Sequence, residues 1–188
     1  MQSKVFISNF QNLNYGRDYV KKFSLSPDSM MQSIFQIAFY KCFNRFVSTY
    51  ESASTSAFKF GRTETIRPAT MATKRLAEHM LNTSTSKQNP QEIFEMLKKA
   101  TSIHNKLVKE GAMGQGFDRH LFAMKYHAEN RKKIQLPEFY KSEAYKFINH
   151  NVLSTSTLAY PNILTGGFAP VVPDGFGNYN YFESYMKI

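Results

Sequence analysis

Between Asp28 and Phe46, apolar residues fall on most sides of a helical repeat: Met31, Ile34, Phe35, Ile37, Ala38, Phe39 and Phe43. A helix that is apolar nearly all round is expected deep inside a fold. Ser26-Pro27-Asp28 marks its start, because serine caps free amides and proline suits the first helical position. A one-sided stripe of Ile93, Leu97, Ala100, Ile103 and Leu107 predicts another long helix, entered at Asn89-Pro90. Glu92 stands where a capping box would use it, and Gly111 is expected to stop the helix. Further helices are predicted from Thr70 to Leu81, Asp118 to Ala128 and Pro137 to Asn149, with strands at Thr49–Ser54, Val152–Leu158 and Phe168–Val172. Thr83–Pro90 reads as a loop, and the chain has no internal repeat. Helices interspersed with strands predict an α/β fold.

The polar stretches break this pattern. Tyr50-Glu51-Ser52-Ala53-Ser54-Thr55 has almost no apolar face, yet it follows the most apolar helix. Gly61–Pro68 holds Arg62, Arg67, Glu64, Thr63 and Thr65, and Ser154-Thr155-Ser156-Thr157 sits in a strand context. Two readings stay open: hydroxyl-rich strands lining a polar ligand cavity, or edge strands facing water. Arg119 divides the same way, between a surface ion-pair partner and a planar fork for a carboxylate.

Composition narrows the classes. With 188 residues, 42% hydrophobic and 15% aromatic, the chain builds a packed core of one domain or two small ones. Lys plus Arg is 24 and Asp plus Glu 14, a net charge of 24 − 14 = +10 that suggests an anionic partner without choosing one. The single cysteine, Cys42, rules out an internal disulfide and a Cys-rich zinc site, and its apolar neighbours suggest an inert thiol. No apolar run reaches the ~18–20 residues of a membrane span. Met1–Phe6 lacks the charged and apolar regions of a secretory signal.

Most catalytic patterns are missing. Gly111, Gly114 and Gly116 match neither phosphate-loop fingerprint and read as a helix-ending loop. His79, His104, His120, His127 and His150 form no HExxH and no carboxylate cluster accompanies them, so no metal site is expected. His104 interrupts an apolar stripe and reads as a satisfied, half-buried side chain; His79 and His127 read as solvated, His120 and His150 as structural. A serine hydrolase lacks its GxSxG elbow, and a nucleic-acid module is suggested only by dispersed charge.

Six ordered motifs carry a resemblance: Ser26-Pro27-Asp28, Thr49–Thr55, Gly61–Arg67, Asp118-Arg119-His120-Leu121, Ser154-Thr155-Ser156 and Gly166-Gly167-Phe168. From about Tyr15 to Gly177 the chain resembles the C-terminal half of the carnitine/choline acyltransferases. Thr63-Glu64-Thr65 is similar to the carnitine branch, and Gly114–Ala123, Asn149–Leu158 and Gly167–Val172 are similar to its mitochondrial long-chain members. The resemblance implies a mixed sheet flanked by helices, part of the two-domain chloramphenicol-acetyltransferase-like fold and cut at both ends, with residues 1–188 as one partial domain.

The family moves an acyl group between coenzyme A and the carnitine hydroxyl. By resemblance, Tyr50, Ser52, Thr63, Arg119, Ser154 and Phe168 contribute to the carnitine pocket, and Ser156 touches carnitine and the reaction's oxyanion. Gly16, Arg17, Lys21, Lys22, Ser26, Asp28, Glu51 and Ser54 correspond to the coenzyme A strip; Arg17 stands where the family usually has lysine. The substrates are acyl-CoA and carnitine, with no bound cofactor, metal or nucleic acid implied. The family's general-base histidine lies in an HxxxD motif. Here the fourth residues after the five histidines are Thr83, Val108, Met124, Arg131 and Ser154. The resemblance therefore implies a chain inactive by itself, which needs an N-terminal half for catalysis. Its parent would be mitochondrial and peripheral on the matrix side of the inner membrane, with any leader upstream of this chain. The alternative is a non-catalytic relic that binds coenzyme A or acylcarnitine.

Overall fold

A computed structural model of the chain describes residues 16–84, 87–131, 135–157 and 167–180. Leu158, Gly166, part of the Thr83–Pro90 loop and the N-terminal Met1–Phe6 lie outside these. The elements run α1 (Arg17–Lys21), α2 (Pro27–Phe43), β1 (Thr49–Ser54), β2 (Thr63–Ile66), α3 (Met71–Asn82), α4 (Pro90–Ala112) and α5 (Asp118–Asn130). A 3-10 turn (Glu138–Lys141), α6 (Glu143–Asn149), β3 (Leu153–Thr157) and β4 (Phe176–Asn180) follow. The four strands form one sheet in the order β2-β1-β3-β4. The β1–β2 pair is antiparallel; β1–β3 and β3–β4 are parallel. The fold is a mixed α/β sheet with flanking helices, as the resemblance implied.

The helix ends bear out some of the capping signals and replace others. Ser26 accepts from the Ser29 amide, and Thr70 and Thr73 close a reciprocal capping box at the start of α3. Asn89 caps α4 through the Gln91 amide, while Glu92 comes within 3.9 Å of His79 instead. Gly111 does not end α4; it lies in the last turn, where a Cβ would stand 2.7 Å from Ile66 Cδ1. The stop is Gly114, at φ 74°, with Gly114 N–H donating to Gly111 O and Gln115 N–H to Glu110 O. This paired closure satisfies the carbonyls that a helix end leaves free.

Several expectations fail for local reasons. Phe168–Val172 is not a strand. Pro170 and Pro173 bracket the two valines and remove ladder donors, and β4 forms beyond them. The predicted Pro137–Asn149 helix is broken at Ser142, whose side chain caps α6 through the Tyr145 amide. Helix α2 is not buried all round, as its apolar residues suggested, but along one mostly polar face. Its covered residues are Ser29, Gln32, Ser33, Gln36 and Phe39, while Ile34 and Phe43 are exposed. The strands decide this: buried Thr155 and Thr49 need partners, and Gln32 Nε2 and Gln36 Nε2 supply them at 3.0 and 3.1 Å. Phe39 joins Val47, Val152 and Leu153 in the apolar cluster between α2 and the strand starts. Cys42 is exposed rather than sheltered among apolar neighbours. Among the described residues, no helix is long and apolar enough to cross a membrane.

Candidate functional site

Strand alternation sorts the polar residues onto two sheet faces. On β1, Thr49, Glu51 and Ala53 are buried, and Tyr50, Ser52 and Ser54 take the opposite face. The register sets Tyr50 beside Ser154, Ser52 beside Thr65 and Ser54 beside Thr63. One face therefore collects hydroxyls from Tyr50, Ser52, Ser54, Thr63, Thr65, Ser154 and Ser156. An arginine lies over this face.

Arg119, in the first turn of α5, reaches across the β2 edge. Its guanidinium donates to Tyr50 Oη at 3.1 Å and to Thr63 Oγ1 and Thr63 O at 3.3 Å. No carboxylate among the described residues forms an ion pair with it. An exposed guanidinium already oriented by neutral oxygens, with a phenol and threonine hydroxyl beside it, has the donors for a carboxylate.

Two carboxylates hold α5 in place. Buried Glu64 accepts from the Thr65 amide at 2.7 Å and from the Arg119 amide at 3.3 Å. Gly116 makes room for it: a Cβ there would stand 2.2 Å from Glu64 Cγ. Asp118 receives a two-pronged bond from Arg67, whose remaining donors reach Ser48 Oγ and Ile148 O. Sequence reasoning assigned neither Arg67, Asp118 nor Glu64 a site role. The only signal was their density of charge around Arg119.

Phe168 belongs to the same region through its backbone. A Cβ on Gly177 would stand 2.4 Å from Phe168 O, and Gly177 is registered with Ser154. The segment carrying Phe168 thus crosses β4 on the hydroxyl face, and Phe168 is 38% exposed. Ser154 is buried and Ser156 half-buried.

The second group lies elsewhere. Gly16 precedes α1, which carries half-buried Arg17 and exposed Lys21; Lys22 follows and is also exposed. A cleft of about 670 Å³ separates Phe23, Ser24 and Leu25 from α4, where Lys98, Lys106 and Lys109 line it. These lysines read as ordinary surface in the sequence, since their partner wall is more than seventy residues away. Asp28 accepts from Thr157 Oγ1 at 2.6 Å. Ser54 is exposed and bonds Ser56. Glu51 does not face solvent: it is 4% exposed on the helix side of the sheet, 2.6 Å from His104 Nε2. Each of Asp28, Glu51 and His104 brings one donor atom within 4.8 Å of the others, spacing a cation could use, although His104 is already engaged on both nitrogens.

Burial pushes the Glu51 carboxyl above the ordinary glutamate value; the His104 hydrogen bond and charge oppose this, and Asp28 adds to it. A raised folded-state value means that Glu51's contribution to stability is complete below the unfolded value and is lost as pH rises through the folded one. The stability contributed by this site should fall as pH climbs above the ordinary glutamate range. Thermal melts from pH 4 upward should show a shallower decline for Glu51→Gln; an unchanged slope would refute the assignment.

The other histidines are not drawn into either group. His150 is exposed and 2.8 Å from Asp174, and His120 and His127 are exposed. His79 is half-buried rather than solvated, with Nε2 covered and making no hydrogen bond.

The arrangement defines a class: a helix-backed mixed sheet whose polar face presents a carboxylate-ready arginine. The Choline/Carnitine o-acyltransferase family matches residues 1–188, and the chain belongs to that family. Among named relatives, it is 54% identical over 162 residues to mitochondrial carnitine O-palmitoyltransferase 2 of Mus musculus, covering 86% of this chain and 24% of that protein. The Homo sapiens protein of that name is 53% identical over the same length and coverage. Carnitine O-acetyltransferase of Homo sapiens is 34% identical over 175 residues, covering 93% of this chain and 27% of its own. The chain thus spans about a quarter of the length of the curated relatives it matches.

Proposed function

We propose that this chain supplies the carnitine pocket and coenzyme A strip of a mitochondrial carnitine O-acyltransferase acting on long-chain acyl groups. The observation that carries this reading is the Arg119–Tyr50–Thr63 set on the hydroxyl face of the sheet. Carnitine's carboxylate takes the Arg119 fork and the neighbouring Tyr50, Ser52 and Thr63 hydroxyls. Its trimethylammonium lies toward the Phe168 ring, with Ser154 beneath. Arg17, Lys21 and Lys22 bind the 3′-phosphate of coenzyme A, and the lysine-lined cleft beside them extends that cationic surface. Gly16, Ser26, Asp28, Glu51 and Ser54 shape the strip; Glu51 acts from inside the fold.

The reaction moves an acyl group from sulfur to oxygen. A general base takes the proton of the carnitine hydroxyl, and its oxygen attacks the thioester carbonyl. The resulting oxyanion receives a hydrogen bond from Ser156. Collapse breaks the carbon–sulfur bond, and the base returns the proton to the departing coenzyme A thiolate. The base, an HxxxD histidine, belongs to a part of the enzyme outside these 188 residues. The whole enzyme works at the matrix side of the inner membrane.

Isothermal titration of the 188-residue chain should show binding of both carnitine and coenzyme A, and a thiol-release assay should show no turnover. Turnover by this chain alone would overturn the assignment of the base. Absence of heat with both ligands would overturn the pocket assignments. Adding an HxxxD-bearing N-terminal polypeptide of a relative should restore thiol release; persistent binding without turnover would favour the non-catalytic binder.

A further inference from the structure

His104 stands apart from every pattern that marked the sites, yet it is 2% exposed and bonded at both ring nitrogens. Its Nδ1 lies 2.8 Å from Ser29 Oγ, in the first turn of α2. Its Nε2 lies 2.6 Å from Glu51 Oε2 on β1. Ser29 Oγ donates its single proton to Asn105 Oδ1 at 2.7 Å, so toward His104 it can only accept. The Nδ1 atom therefore carries the proton of that bond. The contact between Nε2 and Glu51 then needs a second proton, held on the histidine or on the glutamic acid. In both cases the pair is neutral overall and holds one proton in the gap.

That proton sits where three elements meet. Asp28 precedes Ser29 and stands against Glu51 while accepting from Thr157 of β3. The titratable groups facing Glu51 are Asp28 from α2 and His104 from α4; its strand partners, Ile66 and Thr155, are neutral. Without the shared proton, Glu51 and Asp28 would be two buried or half-buried carboxylates in repulsion, at the point where residues 16–28 join the sheet.

We propose that His104 is a positioning residue for coenzyme A: through Ser29 and Glu51 it pins the start of α2, and with it the cationic segment before that helix, to β1. The proposal rests on the coenzyme A reading for its ligand, but the pinning itself is a property of the chain alone. It also explains why Glu51 belongs with the strip although it faces away from solvent.

Two measurements separate the two levels. Hydrogen exchange on the unliganded chain should show amides of residues 17–33 exchanging at least tenfold faster in His104→Ala, with a smaller rise in the same direction in Ser29→Ala. Amides of α3 and of the β1–β2 pair beyond Glu51 should keep wild-type protection in both variants. No change in residues 17–33, or equal loss of protection throughout in Ser29→Ala, would overturn the proposal. Titration should then show coenzyme A binding about tenfold weaker in both variants, with carnitine binding within twofold of wild type. A loss for both ligands together would reduce His104 to general stability and overturn the positioning role. If wild type binds no coenzyme A, the strip reading fails, and hydrogen exchange still decides whether His104 pins α2.

Discussion

Arg119→Ala should lower carnitine affinity by roughly 30- to 100-fold while leaving the folded chain intact. Truncating one partner of a hydrogen-bonded charge pair commonly costs 2–5 kcal/mol, and each 1.4 kcal/mol is tenfold. The lower part of that range applies because Arg119 is exposed and water screens the pair. Its three bonds to Tyr50 and Thr63, at 3.1 and 3.3 Å, are to neutral oxygens on the surface, so their loss affects stability little. Arg119→Lys should recover only a small part, because an ammonium keeps the charge but not the fork. Titration with carnitine, and with a carnitine analogue whose carboxylate is replaced by an amide, checks the assignment. The variant and wild type should bind the amide equally. A large difference for the amide as well would place Arg119 against another part of the ligand.

Arg67→Ala should have the largest effect on stability, about 2–3 kcal/mol, or roughly 5–10 °C in melting temperature for a chain of this size. The guanidinium ties Asp118 at the start of α5 to Ser48 before β1 and Ile148 at the end of α6. Its removal leaves a mostly covered Asp118 carboxylate without its donor, while the Ile148 carbonyl keeps the Ser48 hydroxyl at 2.6 Å. The full penalty of a buried pair is not expected, since the two side chains remain 20% and 12% exposed. Because Arg119 follows Asp118 directly, carnitine affinity should fall too, and saturating carnitine should recover part of the lost stability. A melting temperature within a degree or two of wild type would mean that α5 is held by other contacts, Glu64 among them.

Both variants test residues of different legibility. Arg119 was visible as a candidate beside polar strands, and the ordered motifs gave it a role by resemblance. Arg67 lay inside one of those motifs without a role, because its partners are fifty-one and eighty-one residues further on. Glu64 was visible only as part of a tripeptide. That it caps the helix bearing Arg119 depends on β2 and α5 meeting at the sheet edge. The glycines divide similarly: the helix-ending loop was readable, but which glycine supplies the left-handed turn and which one clears Glu64 required the packed structure.

The sequence by itself determined the α/β class, the main helices with the N-terminal caps of α2 and α4, the two central strands and the family, because these rest on local periodicity, end chemistry and ordered motifs. Tertiary structure decided which face of α2 is buried. The apolar residues on most sides left the buried face undecided; hydroxyls on β1 and β3 meet Gln32 and Gln36, and this polar face is the covered one. It also decided that Tyr50 and Glu51, neighbours in the chain, serve opposite faces of the sheet. A strand turns successive side chains to opposite sides, and only the pairing of β1 with β2 and β3 shows which side meets Arg119 and which meets His104.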